Sequence, residues 1–177
     1  RGDQLVIESA LGRVAVGQYS IGYRYLDALS MFPSAFAQNF FHLSSEKGSI
    51  SVKRVTQIIG VMLLLGVVAG STLFFASGFL TVGLLGPSYA VAEELVMIFS
   101  IVTVLIFVNA PLATLVQSSS FLKSFLPWGI VNTCLNISLN VLLVPTYGIT
   151  SAAWVMLCTE STGLLINLYF VKKRVSR

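Results

Sequence analysis

VAVGQYSIGYRYLDALSMFPSAFAQNFF, residues Val14–Phe41, decides how this chain is read. As a helix rising ~1.5 Å per residue it is long enough to cross a hydrocarbon core ~30 Å thick. Yet it carries Arg24 and Asp27 one helical turn apart. Ionisable side chains at membrane depth are rare, and they face a water-filled cavity or a partner rather than lipid. Gly17, Ser20, Arg24, Asp27, Met31, Ser34 and Gln38 follow alternating spacings of three and four, which places them on one side of a helix. Val14, Ile21, Leu29, Phe32, Phe36 and Phe40 fall opposite. The stretch predicts a helix with one face for lipid or packed neighbours and the other for water or polar ligands.

Magnitudes support that division. On an insertion scale, Arg and Asp at mid-span cost about 2.5–3.5 kcal/mol each, whereas a large apolar residue returns about 0.3–0.6. The apolar side chains of the stretch do not offset that pair together with Gln38 and Asn39, so the helix needs a polar cavity or neighbouring helices. Two readings of the pair stand: Arg24 and Asp27 line a cavity, or they pair with each other at i, i+3. Either way they face inward.

Composition extends the membrane reading to the whole chain. Of 177 residues, 55% are hydrophobic and 10% charged, with mean hydropathy +0.86. A soluble domain carries about 25% charged residues and so covers itself with a wetted surface. Here the apolar residues gather in blocks of spanning length, and the expected fold is an all-α polytopic membrane protein. Five spans are predicted, at about 14–41, 56–78, 90–116, 125–145 and 150–171. Residues 1–13 read as the end of a preceding helix and an outer-side connection, and 172–177 as a basic tail.

Charge sets the expected orientation. With the tail cytoplasmic, alternation puts Gln117–Ser124 and His42–Val55 on the same side, and eight of the eleven Lys and Arg lie there. Both connections on the outer side have none; Arg1 and Arg13 precede the first span. The net charge of +4 is therefore a topology signal; its basic residues are too dispersed for nucleic-acid binding. The chain begins outside, without Met and without a signal-peptide pattern, which reads as the C-terminal part of a longer membrane protein.

Further features refine the spans. Pro145 and Gly148 close the fourth, Thr150 or Ser151 caps the fifth, and Pro127 fits the first turn of the fourth. Glu93 and Glu94 sit in the first turn of the third, where the helix dipole favours carboxylates. Pro33 and Pro111 fall inside spans and remove backbone donors there. Gly66 and Gly70 form a GxxxG pattern suited to close helix packing. Asn132, Asn136 and Asn140 recur every fourth residue along the fourth span, either bonding between helices or lining a pore. Glu160 and Asn167 share a face of the fifth; Glu160 reads as a proton site, a partner for Arg24 or a cross-helix bond. Cys134 and Cys158 lack metal spacing and read as small packing residues. No cofactor motif, metal site or nucleophile–base signature is present, and His42 is the only histidine.

Several stretches together resemble a known family. RGDQLVIESALG (1–12) followed by VGQYSIGYRYLDALSMFPSAFAQNFF (16–41) is similar to the seventh and eighth helices of bacterial polysaccharide flippases. These are the O-antigen and capsular oligosaccharide transporters of the multidrug/oligosaccharidyl-lipid/polysaccharide exporter superfamily. LLGPSYAVAEEL (84–95) resembles the turn into that family's tenth helix. NTCLNISLNVLLVPTYGITSAAWVMLCTES (132–161) resembles its eleventh and twelfth, with Ser151 where the family tends to have glycine. The resemblance implies the C-terminal lobe of a two-lobe flippase. Such a protein moves an undecaprenyl-diphosphate-linked oligosaccharide across the bacterial cytoplasmic membrane by alternating access. It also implies roles: Arg24 attracting the anionic diphosphate, Asp27 as its counter-ion or in ion coupling, and Tyr19 and Tyr23 stacking on sugars. Ser20, Gln38, Asn132, Asn136, Asn140 and Glu160 would complete the cavity wall. The implied partners are the lipid-linked oligosaccharide, membrane lipids and the N-terminal lobe. A drug exporter of the same superfamily and, from another class, a membrane enzyme acting on polyprenyl-linked sugars are the rival readings.

Overall fold

The computed structural model describes residues 2–45 and 52–175, with side chains described for 2–39 and 52–174. Lys47, the side chains of Phe40 and His42, and Arg1 and Arg177 lie outside the described residues. Six α-helices run in sequence: α1 (Gly2–Leu11), α2 (Arg13–Ser45), α3 (Val52–Gly78), α4 (Ala90–Gln117), α5 (Leu122–Tyr147) and α6 (Ile149–Val175). A π-helical turn at Phe79–Gly83 extends α3, and a 3-10 turn at Pro87–Tyr89 leads into α4. Among the described residues there is no strand. The sharpest turns use glycines at positive φ, where a Cβ would clash with the backbone: Gly12 (83°) between α1 and α2, and Gly148 (77°) between α5 and α6.

Among the described residues, four stretches are long and apolar enough to cross a membrane: Val52–Gly83, Pro87–Gln117, Leu122–Tyr147 and Ile149–Arg174. α2, at 33 residues, is the longest helix but is not one of the four. Arg24, Asp27, Gln38 and Asn39 dilute its apolar content.

α4 is the centre of the assembly, with α2, α3 and α6 packed around it. Its middle is buried on nearly every side: Leu95, Val96, Phe99, Val102, Phe107, Leu112 and Leu115 are all at most 3% exposed. α5 packs chiefly on α6 and barely touches α4, while α1 bridges α5 and α2. Where lipid rather than water surrounds a bundle, close contact between helices carries the association. The α3–α4 seam shows this. A Cβ on Gly70 would stand 2.6 Å from the Ser100 carbonyl oxygen, and one on Gly66 2.8 Å from Phe107 Cβ. The GxxxG pattern is thus a contact between α3 and α4.

Cross-helix contacts fix which ends lie together. Gln18 at the start of α2 donates to the Ser88 carbonyl at 3.1 Å, and the Tyr25 hydroxyl to the Leu80 carbonyl at 2.9 Å. The Thr150 hydroxyl at the start of α6 donates to Glu94 at 3.4 Å, at the start of α4. At the other end, Arg174 donates to the Leu115 carbonyl and Lys173 lies 5.6 Å from the Phe121 ring. Val55, near the start of α3, packs with Leu115 and Phe170. Lys53, Arg54, Lys123, Lys172, Lys173 and Arg174 therefore gather at one end, with Glu93 and Glu94 at the other.

Several sequence expectations are corrected. α5 starts at Leu122, so Pro127 lies beyond its first turn. α6 starts at Ile149, and the Ser151 hydroxyl donates back to the Gly148 carbonyl at 2.6 Å instead of capping. Cys134 and Cys158 are exposed on the outside of α5 and α6, not packed. The face of α2 that meets α4 is centred beside the predicted apolar face, on Tyr19, Gly22, Leu26, Pro33 and Ala37, and takes in part of it: Phe32 stacks on Phe107 at 6.1 Å, and Leu29 and Phe36 pack on the same core. Gly22 sets it, because its missing side chain leaves room for Leu95 and Phe99, whose atoms would lie 3.2–3.3 Å from a Cβ there.

Candidate functional site

Four helices meet around a polar seam. Asn109, midway along α4, is 7% exposed and donates to both the backbone carbonyl of Glu160 (2.9 Å) and its carboxylate (2.8 Å). Asn167, two turns further along the same face of α6, donates to the Asn109 side-chain oxygen at 3.3 Å. From α5, Asn132 donates to the Thr159 carbonyl and Asn136 to the Thr159 hydroxyl, both at 3.1 Å. Asn140 donates back to the Asn136 carbonyl at 2.9 Å. Gly163 makes room for this cluster: a Cβ there would touch the Asn132 and Asn109 amides at 3.6 and 3.8 Å.

The seam opens into a cleft of about 420 Å³. Tyr23, Ser30 and Ser34 of α2 form one wall, Asn109 and Ala110 of α4 the floor, and Trp128, Asn132, Met156, Glu160 and Asn167 the far side. Tyr23, Asn132, Met156 and Glu160 also border a smaller chamber of about 280 Å³, which Gly2 and Asp3 of α1 close. Among the described residues, the side-chain oxygens of Asn132 and Asn167 are buried and accept no hydrogen bond, although both residues line the cleft. No grouping of three His, Cys, Asp or Glu close enough to share a metal occurs among the described residues.

The predicted site residues separate into three places. Tyr23, Asn132 and Glu160 line the cleft, and Asn136 lines the smaller chamber. Glu160 is bonded to Asn109, which is the cross-helix bond of the three readings, and is not partnered by Arg24. Asn140 is fully buried and belongs to packing. Tyr19 is also fully buried, beside the smaller chamber, in edge contact with Phe99 at 5.6 Å and with its hydroxyl donating to Asp3 at 2.5 Å. A ring held so is not available for stacking on a sugar. Ser20 is half-buried and accepts from Gln4 at 3.4 Å.

Arg24 and Gln38 lie elsewhere. With Gly17 and Met31, spaced by seven, they form an exposed line down α2, outside the cleft. Asp27 is half-buried between that line and the cleft wall. The polar stripe of α2 thus splits: Ser34 turns to the cleft while Arg24 and Gln38 face away from the bundle.

Asn109, Thr159, Asp3, Trp128 and Ser30 are site residues that the sequence reading did not single out. Asn109 carried a signal, since it is the one carboxamide in the apolar run 95–116. Asn109→Ala is expected to remove the bonds to Glu160 and Asn167 and weaken the fold by about 0.6–1.7 kcal/mol, the range for hydrogen bonds between membrane helices. Resistance to denaturation in detergent micelles checks it.

In comparisons with protein-family models, curated proteins and solved structures, nothing matches this chain.

Proposed function

We propose that this chain is the C-terminal lobe of a flippase that carries an undecaprenyl-diphosphate-linked oligosaccharide across the bacterial cytoplasmic membrane by alternating access. In this reading α2 is a fifth spanning helix and the basic end is cytoplasmic. One observation carries it: Arg24 is exposed, about 16 Å along a helix flanked by apolar surface, on a line pointing away from the lobe's own core. A guanidinium at that depth does not face lipid, and water or an anionic ligand on that side satisfies it. A diphosphate matches its planar fork of donors with two-point hydrogen bonds. Arg24 and Gln38 then face the cavity between lobes, while the Asn109–Glu160 seam belongs within this lobe. The resemblance of the chain to polysaccharide flippases points the same way.

Depleting the protein from cells and assaying lipid-linked oligosaccharide by leaflet tests the reading. The inner-leaflet pool is expected to rise severalfold while surface polymer falls. Unchanged pools with raised retention of cationic drugs would instead establish the drug-exporter alternative.

A further inference from the structure

A second depression, of about 480 Å³, lies between α5 and α6 at the basic end of the bundle. It shares only Trp128 and Ile166 with the polar cleft. Its chemistry is graded along the helix axes. Lys173, Tyr169 and Leu165 succeed one another at intervals of four on α6, and Ser124 and Trp128 do so on α5. The end nearest the helix termini thus offers an ammonium and a hydroxyl, and eight residues deeper, ~12 Å, the wall is purely apolar. Phe125 and Phe170, packed edge to face at 5.7 Å, stiffen the hairpin beside it. Trp128 and Tyr169 are 51% and 61% exposed, with polar tips and apolar bodies at the level where such rings sit at a membrane interface.

The charge is one-sided. None of the groove's lining residues is acidic, and Lys123, Lys172 and Arg174 neighbour it in sequence. Lys173 sits 5.6 Å from the Phe121 ring, which holds its ammonium near the groove mouth. A zwitterionic choline headgroup would bring a cation into this field, whereas a phosphate with a neutral substituent brings only complementary charge.

We infer that this groove binds an anionic phospholipid from the leaflet at the basic end, its phosphate held by Lys173 and Ser124 and its first acyl segment laid along Trp128, Tyr169 and Leu165. The inference rests on the helices crossing a membrane and not on which substrate is moved.

The two tryptophans of the chain allow a direct test. Trp154, near the start of α6, is 51% exposed and far from the basic end. The protein carrying Trp154→Phe, reconstituted in phosphatidylcholine vesicles, reports on Trp128 alone, and brominated phosphatidylglycerol or brominated phosphatidylcholine serves as contact quencher. The expected result is quenching by the anionic lipid at a mole fraction about fivefold lower than by the neutral one, the effect of one interfacial cation. Lys173→Gln, at an exposed position, is expected to abolish that preference while leaving quenching by the neutral lipid unchanged. Equal quenching by both lipids overturns the inference. So does a preference that survives Lys173→Gln, or one that Trp154 reports equally in the Trp128→Phe protein.

Discussion

Arg24→Ala is expected to reduce arrival of lipid-linked oligosaccharide in the outer leaflet by ten- to a hundredfold at unchanged protein level. The size follows from a charge-assisted, two-point contact to a diphosphate, worth about 1.5–3 kcal/mol. The unchanged level follows from position: Arg24 is exposed, on the side of α2 opposite Tyr19, Gly22 and Leu26, so its removal disturbs no packing against α4. Arg24→Lys keeps the charge but loses the planar fork, and an intermediate rate is expected. Leaflet-resolved assay of the lipid-linked pool, with immunodetection of the protein, reads both quantities. Loss of protein together with transport would instead assign Arg24 to folding.

The second large effect is structural. Gly70→Val places a Cβ 2.6 Å from the Ser100 backbone oxygen, and the α4 backbone is fixed there by packing on α2 and α6. α3 must move outward, forfeiting contact along the whole seam from Gly66 to Gly70. Overpacking of this kind costs about 1–3 kcal/mol, and more where backbone rather than a flexible side chain must yield. Gly60→Val, on the same helix, meets nothing within 4 Å and is expected to leave stability unchanged. Thermal unfolding of the two variants in detergent, side by side, checks the contrast. Equal stability would mean that α3 is not seated on α4 as described.

The helices were legible in the sequence because apolar runs and glycine or proline punctuation act locally. Gly148 ended α5 as expected, although Pro145 lies within the helix, and of the two expected carboxylates Glu93 but not Glu94 falls in the first turn of α4. The partners of each face were not legible, because they depend on which helix lies alongside. The stripe on α2 was found by period, but period alone does not say that Gly22 admits Phe99 and so turns Arg24 outward and Tyr19 inward. Asn132 and Asn136 presented two equal readings until α6 supplied Thr159 as their common acceptor. Asn109 escaped notice for the opposite reason: a single carboxamide makes no pattern, and its importance comes from Glu160, 51 residues away.

Transport itself is the most direct test. The full-length protein is reconstituted into proteoliposomes with a fluorescently labelled undecaprenyl-diphosphate oligosaccharide, and dithionite added outside bleaches the label in the outer leaflet alone. Label protected in the inner leaflet is expected to become bleachable much faster than in protein-free vesicles, and Arg24→Ala to return the rate most of the way to that background. Equal rates with and without the protein would contradict the flippase reading.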